Sequence, residues 1–228
     1  MIKVAVSGSN GRMGLRIKKL IEDDPGLELS GAFDINDDPG PIINGCDVLI
    51  DFTTPEATIK NIAIVKKAGK AIVIGTTGID EKGLKHIKEA AKNIPVVFSP
   101  NMSVGVNLLF KLIEKASAVL DKTYRASISE THHIHKMDAP SGTAKRLKDI
   151  IVDTRNVAPG DIKVDSKRTG EVAGDHTIVF DGKEETLEIT HHAKSRDVFA
   201  KGAVIAAKFI AKKRKGFFSM NEVLGIND

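Results

Sequence analysis

The chain of 228 residues has no tryptophan, one tyrosine and one cysteine, and aromatic residues make up only 4% of it. Each scarcity excludes something. A single cysteine, Cys46, cannot form an internal disulfide. Its place beside the apolar run Val48-Leu49-Ile50 reads as a packed thiol, and a reducing cytoplasm suits it. No apolar run approaches the roughly 18 residues that a membrane span needs. The opening Met1-Ile2-Lys3-Val4-Ala5-Val6 leads straight into a strand pattern and does not read as a cleavable signal. The net charge is only +4 and is not interleaved with aromatic residues, so nucleic acid is not an expected partner. The basic run Lys212-Lys213-Arg214-Lys215 reads as the solvated end of a helix, where cations favour the helix dipole. What remains, 41% hydrophobic and 28% charged residues, is the profile of an ordinary globular protein.

Strand and helix patterns alternate over the first hundred residues. Ile2–Ser7, Leu27–Phe33, Val48–Phe52, Lys70–Ile74 and Pro95–Phe98 are short apolar runs. Between them lie helical spacings at Met13, Ile17, Leu20 and Ile21, from Pro55 to about Ala68, and over about 80–92. Buried apolar strands alternating with amphipathic helices predict a Rossmann-like, doubly wound parallel sheet. After residue 104 the pattern changes. A helix over Val106–Leu120 precedes the alternating strand Arg125–Thr131, a second helix starts near Ser141, and strand-like runs follow at Ile162–Asp165, His176–Phe180 and Thr186–Thr190. This predicts an α+β domain on a mixed or antiparallel sheet over 105–195. A helical pattern returns over Val198–Lys212, so residues 1–104 and 196–228 are expected to form the first domain.

Gly8-Ser9-Asn10-Gly11-Arg12-Met13-Gly14 is a G-x-x-G-x-x-G loop directly between the first strand and the first helix. Glycines there let backbone approach a pyrophosphate, and the helix N-terminus offers it free N–H groups. Asp34 lies at the end of the second strand, 34 − 14 = 20 residues after the last glycine, where a dinucleotide site places an acid on the adenosine ribose. A carboxylate about 4 Å from a 2′-phosphate costs on the order of 1–4 kcal/mol. The following Ile35-Asn36-Asp37-Asp38 holds no arginine to reverse this, so NADH is the expected coenzyme over NADPH. Later strand ends, Asp51–Pro55, Gly75–Gly78 and Ser99–Met102, bring hydroxyls, amides and small residues to the same edge. They also read as ordinary strand-to-helix turns with capping residues.

The densest chemistry is Glu130-Thr131-His132-His133-Ile134-His135-Lys136-Met137-Asp138-Ala139-Pro140-Ser141-Gly142-Thr143-Ala144. Three histidines and a lysine crowd five positions, and Ser141 reads as the N-cap of the next helix. Backbone N–H groups and a hydroxyl aimed at an anion suit a carboxylate substrate, and a histidine there could supply the proton that accompanies hydride addition to a C=N or C=C bond.

Gly-Arg-Met-Gly in the first loop, Asp-Phe-Thr-x-Pro, Gly-Thr-Thr-Gly, Asn-x-Ser-Val-Gly-Val-Asn at 101–107 and His-His-x-His-Lys-x-Asp-Ala-Pro-Ser-Gly-Thr-Ala at 132–144 closely resemble the dihydrodipicolinate reductase family of lysine and diaminopimelate synthesis. The likeness continues through Gly174-Asp175-His176-Thr177, Ile189-Thr190-His191 and Ser195-Arg196, and so runs in order along almost the whole chain. It implies that His132 is the general acid and that Lys136 stabilises charge. By the same resemblance His133 contacts a small dicarboxylate substrate, one carboxylate of which Gly142 and Thr143 grip. It implies cofactor contacts from Gly8, Ser9, Asn10, Gly11, Arg12, Met13, Asp34, Gly75, Thr76, Thr77, Ser99, Pro100, Asn101 and Met102, and a substrate domain that closes on the coenzyme. Family members are homotetramers that pair their substrate-domain sheets. Two positions depart from the family pattern: Ile134 stands where arginine is common, and Met102 where phenylalanine is.

Three other readings share these residues. His132, His133 and His135, with His191 and His192, could ligate zinc, although the spacing is not His-x3-His. The glycine loop alone would also serve a non-catalytic dinucleotide sensor, and the same architecture supports dehydrogenases of amino or keto acids. No metal is expected in the reductase reading.

Overall fold

The computed structural model describes residues 1–226. The chain forms two compact units, one from residues 1–104 together with the segment from 199 onward, the other from 105–198.

In the first unit, strands β1 (Ile2–Ser7), β2 (Leu27–Phe33), β3 (Val48–Asp51), β4 (Ala71–Ile74), β5 (Pro95–Phe98) and β10 (Gly216–Phe218) make one sheet in the order β10-β5-β4-β3-β1-β2. Every pairing is parallel. Every residue of β3 and β4 is buried, as expected of strands covered on both faces. Helices α1 (Arg12–Glu22) and α7 (Asp197–Ile210) cover one face, where Ile17, Ile21, Ala203 and Ile210 meet Val4, Val6 and Ile50. Helices α2 (Pro39–Gly45), α3 (Pro55–Ala68) and α4 (Glu81–Ala90) cover the other, where Ile43, Ile62 and Ile87 meet Leu49, Ile72 and Val96. The expected doubly wound sheet is present, and β1 lies between β2 and β3, which are wound in opposite directions from it.

In the second unit, β6 (Arg125–His132), β7 (Lys163–Arg168), β8 (Asp175–Asp181) and β9 (Thr186–His192) form a mixed sheet in the order β7-β6-β8-β9. The β6–β7 pair is parallel and the other two are antiparallel. One face packs on α5 (Val104–Val119) and α6 (Gly142–Arg155), burying Leu109, Ile113, Leu147 and Ile151 against Ile128, Ile178 and Phe180. The alternation in β6 sends Ala126, Ile128, Glu130 and His132 inward.

Three elements fall outside the expected pattern. The α2 segment contains two prolines and two glycines, so it carries no helical periodicity; the Asp38 cap and buried Ile43 hold it. Strand β10 has only three residues and is recruited by the edge of β5, and α8 (Met220–Leu224) follows from the Ser219–Glu222 capping box. The basic run at 212–215 does not end a helix. Helix α7 stops at Ile210, and the run lies in the turn towards β10, where Lys213 Nζ sits 4.6 Å from the Phe209 ring centroid.

Gly202 in α7 marks the tightest packing of the first unit. A Cβ there would lie 1.7 Å from the backbone oxygen of Met102, an atom that cannot move without shifting the chain. Gly202→Ala is expected to destabilise the protein by about 1–3 kcal/mol, seen as a lower midpoint in thermal unfolding. A midpoint equal to that of the unaltered chain would show that the helix does not approach so closely.

Candidate active site

The parallel register gathers the loops of the first unit. Ser7 pairs with Phe33 and Asp51, Asp51 with Ile74, and Ile74 with Phe98, so these residues form one row across the carboxyl edge. Gly8, Asp34, Phe52, Gly75 and Ser99 therefore leave the sheet side by side. Ligands bind at such edges where the winding direction reverses, here between β1 and β3.

Gly8 has φ +76, and a Cβ on it would meet the backbone oxygen of Phe52 at 2.7 Å. A Cβ on Gly14 would lie 2.2 Å from the Gly8 oxygen, so the helix is drawn tightly onto the loop. In α3, α4 and α6 a first-turn N–H donates to the capping side chain of Thr54, Asp80 or Ser141, whereas α1 has Gly11 at its N-cap and no side-chain cap. Its first-turn N–H groups are thus not claimed by a capping oxygen, the condition for anion binding at a helix start. Asp34 Oδ2 accepts a 3.0 Å bond from the Asn10 backbone N–H, holding its carboxylate beside the loop. These residues fit a dinucleotide: Gly8–Met13 for the pyrophosphate and Asp34 for the adenosine ribose.

Beneath this edge lies a network that ties the expected strand-end residues Asp51, Thr53 and Thr76 to Thr58 and Asn61, which sequence reasoning left unassigned. Asp51 is fully buried. Its carboxylate accepts from Thr53 Oγ1 at 2.6 Å and from Asn61 Nδ2 at 3.0 Å, while Thr58 donates to Thr76 Oγ1 at 2.8 Å. Burial pushes its pKa up against these bonds. Thr76 is thereby directed inward, whereas Thr77 is exposed. Ser99 and Asn101 bond to one another, Pro100 is exposed, and the Met102 side chain lies in the core with 1% exposure. Any contact that Met102 makes with a coenzyme must therefore come from its backbone.

In the second unit the register sets Glu130 opposite Ser166 and His176, and His132 opposite Arg168. Glu130 is 2% exposed. Its Oε1 accepts from the Ser141 backbone N–H at 3.0 Å and from Arg168 Nη2 at 3.1 Å. Its Oε2 lies 3.1 Å from His132 Nδ1 and 3.8 Å from His176 Nε2. Burial alone would raise the Glu130 pKa, but the bonds from Ser141, Ser166 and Arg168 outweigh it and bring the pKa down to about 2. Burial lowers the His132 pKa below the usual histidine value despite the pull of Glu130, and pushes His176 down to about 4.

Lys136 binds Asp138 Oδ1 at 2.6 Å. Arg168 also donates to the carbonyls of Lys136 and Asp138, so one guanidinium ties this loop to Glu130. His133 Nε2 lies 2.9 Å from Arg196 Nη2. Ser141 caps α6, and Gly142 and Thr143 form its first turn; a Cβ on Gly142 would meet nothing within 4 Å. A Cβ on Gly174 would stand 2.9 Å from His132 Nε2, so that edge of the ring is kept clear by the missing side chain.

The histidines of the loop do not converge on one point. His132 turns inward to Glu130 and His176, while His133 meets Arg196 and His135 lies 3.8 Å from Glu171. Among the described residues the potential ligands that do converge are Glu130, His132 and His176, and there Oε1 is already held by a cation and an N–H donor. The sequence signal for Glu130 was available: a charged residue at an inward position of an alternating strand. Arg168, His176 and Arg196 join through pairing between distant segments, which spacing does not encode. The Ile134 side chain is exposed.

Two family models match the chain, "Dihydrodipicolinate reductase, N-terminus" over residues 2–102 and "Dihydrodipicolinate reductase, C-terminus" over 105–224. A 4-hydroxy-tetrahydrodipicolinate reductase of Nitrosomonas eutropha is 42% identical, covering 99% of both chains, and one of Anaeromyxobacter dehalogenans is 39% identical, covering 99% of this chain and 98% of its own. The first alignment spans 265 positions against 228 residues, so at least 37 positions of that relative have no counterpart here. A dipicolinate-bound dihydrodipicolinate reductase from Paenisporosarcina sp. TG-14 shares the fold with TM-score 0.83 at 23% identity, covering 97% of this chain and 98% of its own.

A histidine buried neutral makes the native state bind fewer protons than the unfolded chain. His176 therefore contributes stability that is intact above pH 6.5 and lost as pH falls from 6.5 towards 4. The expected slope is up to about 1.4 kcal/mol per pH unit. Chemical denaturation at pH 7, 6, 5 and 4 measures it, and His176→Gln should flatten it; an equal slope in that variant would refute the assignment.

Proposed function

The chain belongs to the dihydrodipicolinate reductase family, and we propose on that premise how its own residues carry out the reduction of 4-hydroxy-2,3,4,5-tetrahydrodipicolinate to tetrahydrodipicolinate and water. When bound, the nicotinamide dinucleotide supplies the hydride. The protein's task is to hold the dicarboxylate, stabilise charge, and deliver the proton that balances the hydride as the substrate hydroxyl leaves as water.

His132 is the general acid. The observation that carries this is its buried imidazole, with Nδ1 beside the ionised Glu130 and Nε2 at the gap kept clear by Gly174. Burial makes its imidazolium a stronger acid than an exposed histidine, and a bound dicarboxylate favours the charged form again. Lys136, which the loop presents beside His132, exchanges its Asp138 partner for charge developing on the substrate. His133 contacts the substrate. Gly142 and Thr143, in the first turn of α6, grip one carboxylate through the helix N-terminus.

On the first unit, Gly8 to Met13 hold the pyrophosphate and Asp34 the adenosine ribose. Gly75 to Thr77 and Ser99 to Met102 complete the coenzyme contacts. Asp34, followed by Asn36, Asp37 and Asp38, makes the ribose end acidic, and this supports NADH as the preferred coenzyme.

His132→Gln and Lys136→Ala should each lower kcat by about 100-fold or more while NADH affinity, read by fluorescence titration, changes little. Near-normal turnover in both would remove the catalytic assignment. With freshly made condensation product as substrate, kcat/KM should favour NADH over NADPH by about tenfold or more, as a charge penalty of at least 1.4 kcal/mol implies. A clear NADPH preference would defeat the reading of Asp34.

A further inference from the structure

The acid assigned to His132 leaves one buried charge without a role. Glu130 is an inward-facing carboxylate in a β-strand, and its two oxygens are treated differently. Oε1 is held by Arg168 and the Ser141 N–H. Oε2 is fully buried, has no hydrogen-bond donor, and lies 3.1 Å from His132 Nδ1, which is itself buried and unpaired. The two atoms are close, but the ring N–H is not directed along the line between them. A buried donor and a buried acceptor left apart each cost about 1–3 kcal/mol.

We infer that Glu130 is the positioning residue of the reaction: its Oε2 accepts a hydrogen bond from the Nδ1–H of His132, fixes the ring, and stabilises the imidazolium whose Nε2 proton is delivered. This rests on the reading of His132 as the acid and adds to it the group through which that acid is set. The charged and titratable groups around the pair are Arg168 on β7, His176 and Asp175 on β8, His191 on β9, and Lys136 and Asp138 in the loop. Glu130 is the acidic residue of β6 itself, with Oε2 3.1 Å from His132 Nδ1. The bonds from Ser141, Ser166 and Arg168 keep Glu130 ionised, and the Arg168 guanidinium also holds the carbonyls of Lys136 and Asp138. The acid and the loop bearing the charge-stabilising lysine are thereby anchored to a single carboxylate.

Glu130→Gln keeps the acceptor for Ser141 and removes the charge. An adjacent anion raises the pKa of an imidazole by one or more units, so the basic limb of the kcat–pH profile should move down by about one pH unit in this variant. At pH values above the limb kcat should fall about tenfold, with the dissociation constant for NADH within about twofold of normal. In the His132→Gln background, Glu130→Gln should add less than about twofold. An unmoved limb, or the same fold-loss in both backgrounds, overturns the inference while a crippled His132→Gln leaves the acid assignment standing. An active His132→Gln overturns the acid assignment itself. In the unaltered protein, imidazole nitrogen-15 shifts above the His132 pKa should report the proton on Nδ1, whether or not the variants fold; a proton on Nε2 there also overturns the inference.

Discussion

A carboxylate withdrawn from water must be compensated on every side, and in the second unit Glu130 imposes that demand on four segments at once. It sits at an inward position of β6, where Ala126 and Ile128 follow the ordinary rule for a buried face. Its ionisation is maintained by Arg168 from the paired strand and by the N–H that opens α6. Removing one partner from such a pair leaves an uncompensated buried charge, which costs far more than an exposed ion pair is worth. The loop over 133–140 cannot be rearranged without disturbing this charge, because Arg168 holds its carbonyls. Buried His176 and His132, whose pKa values desolvation lowers, complete a polar cluster inside an otherwise apolar core.

The first unit solves a different problem. Its nucleotide loop needs backbone, not side chains, close to a ligand, and the sheet register delivers that by ending the central strands in one row. Gly8 and Gly14 are required because each side chain would strike backbone rather than a flexible neighbour. The buried Asp51 network below the edge resembles Glu130 in its chemistry, a desolvated carboxylate surrounded by donors. It is met by hydroxyls and an amide, and its pKa stays raised where that of Glu130 is lowered. The contrast lies in the donors: at Glu130 the bonds from Ser141 and Ser166, with Arg168 adding to them, outweigh desolvation, while those around Asp51 only reduce it.

The sequence alone determined the parallel sheet, the mixed sheet and the glycine loop, because each depends on local periodicity. Continuous apolar runs, alternating runs and glycines beside a helix start are written in neighbouring residues. It also singled out Asp34 and the 132–144 loop as candidates for the chemistry, since unusual residue density needs no fold to be seen. Helix α2 and strand β10 were illegible because prolines and glycines erase the period of one, and a distant edge strand recruits the other. Only the tertiary structure decided which histidine of three turns inward, and that Arg168 and His176 lie beside Glu130. Those outcomes follow from strand pairing across 38 and 46 residues of chain and from the free-energy cost of leaving a buried charge unmatched, and neither quantity has a local signature.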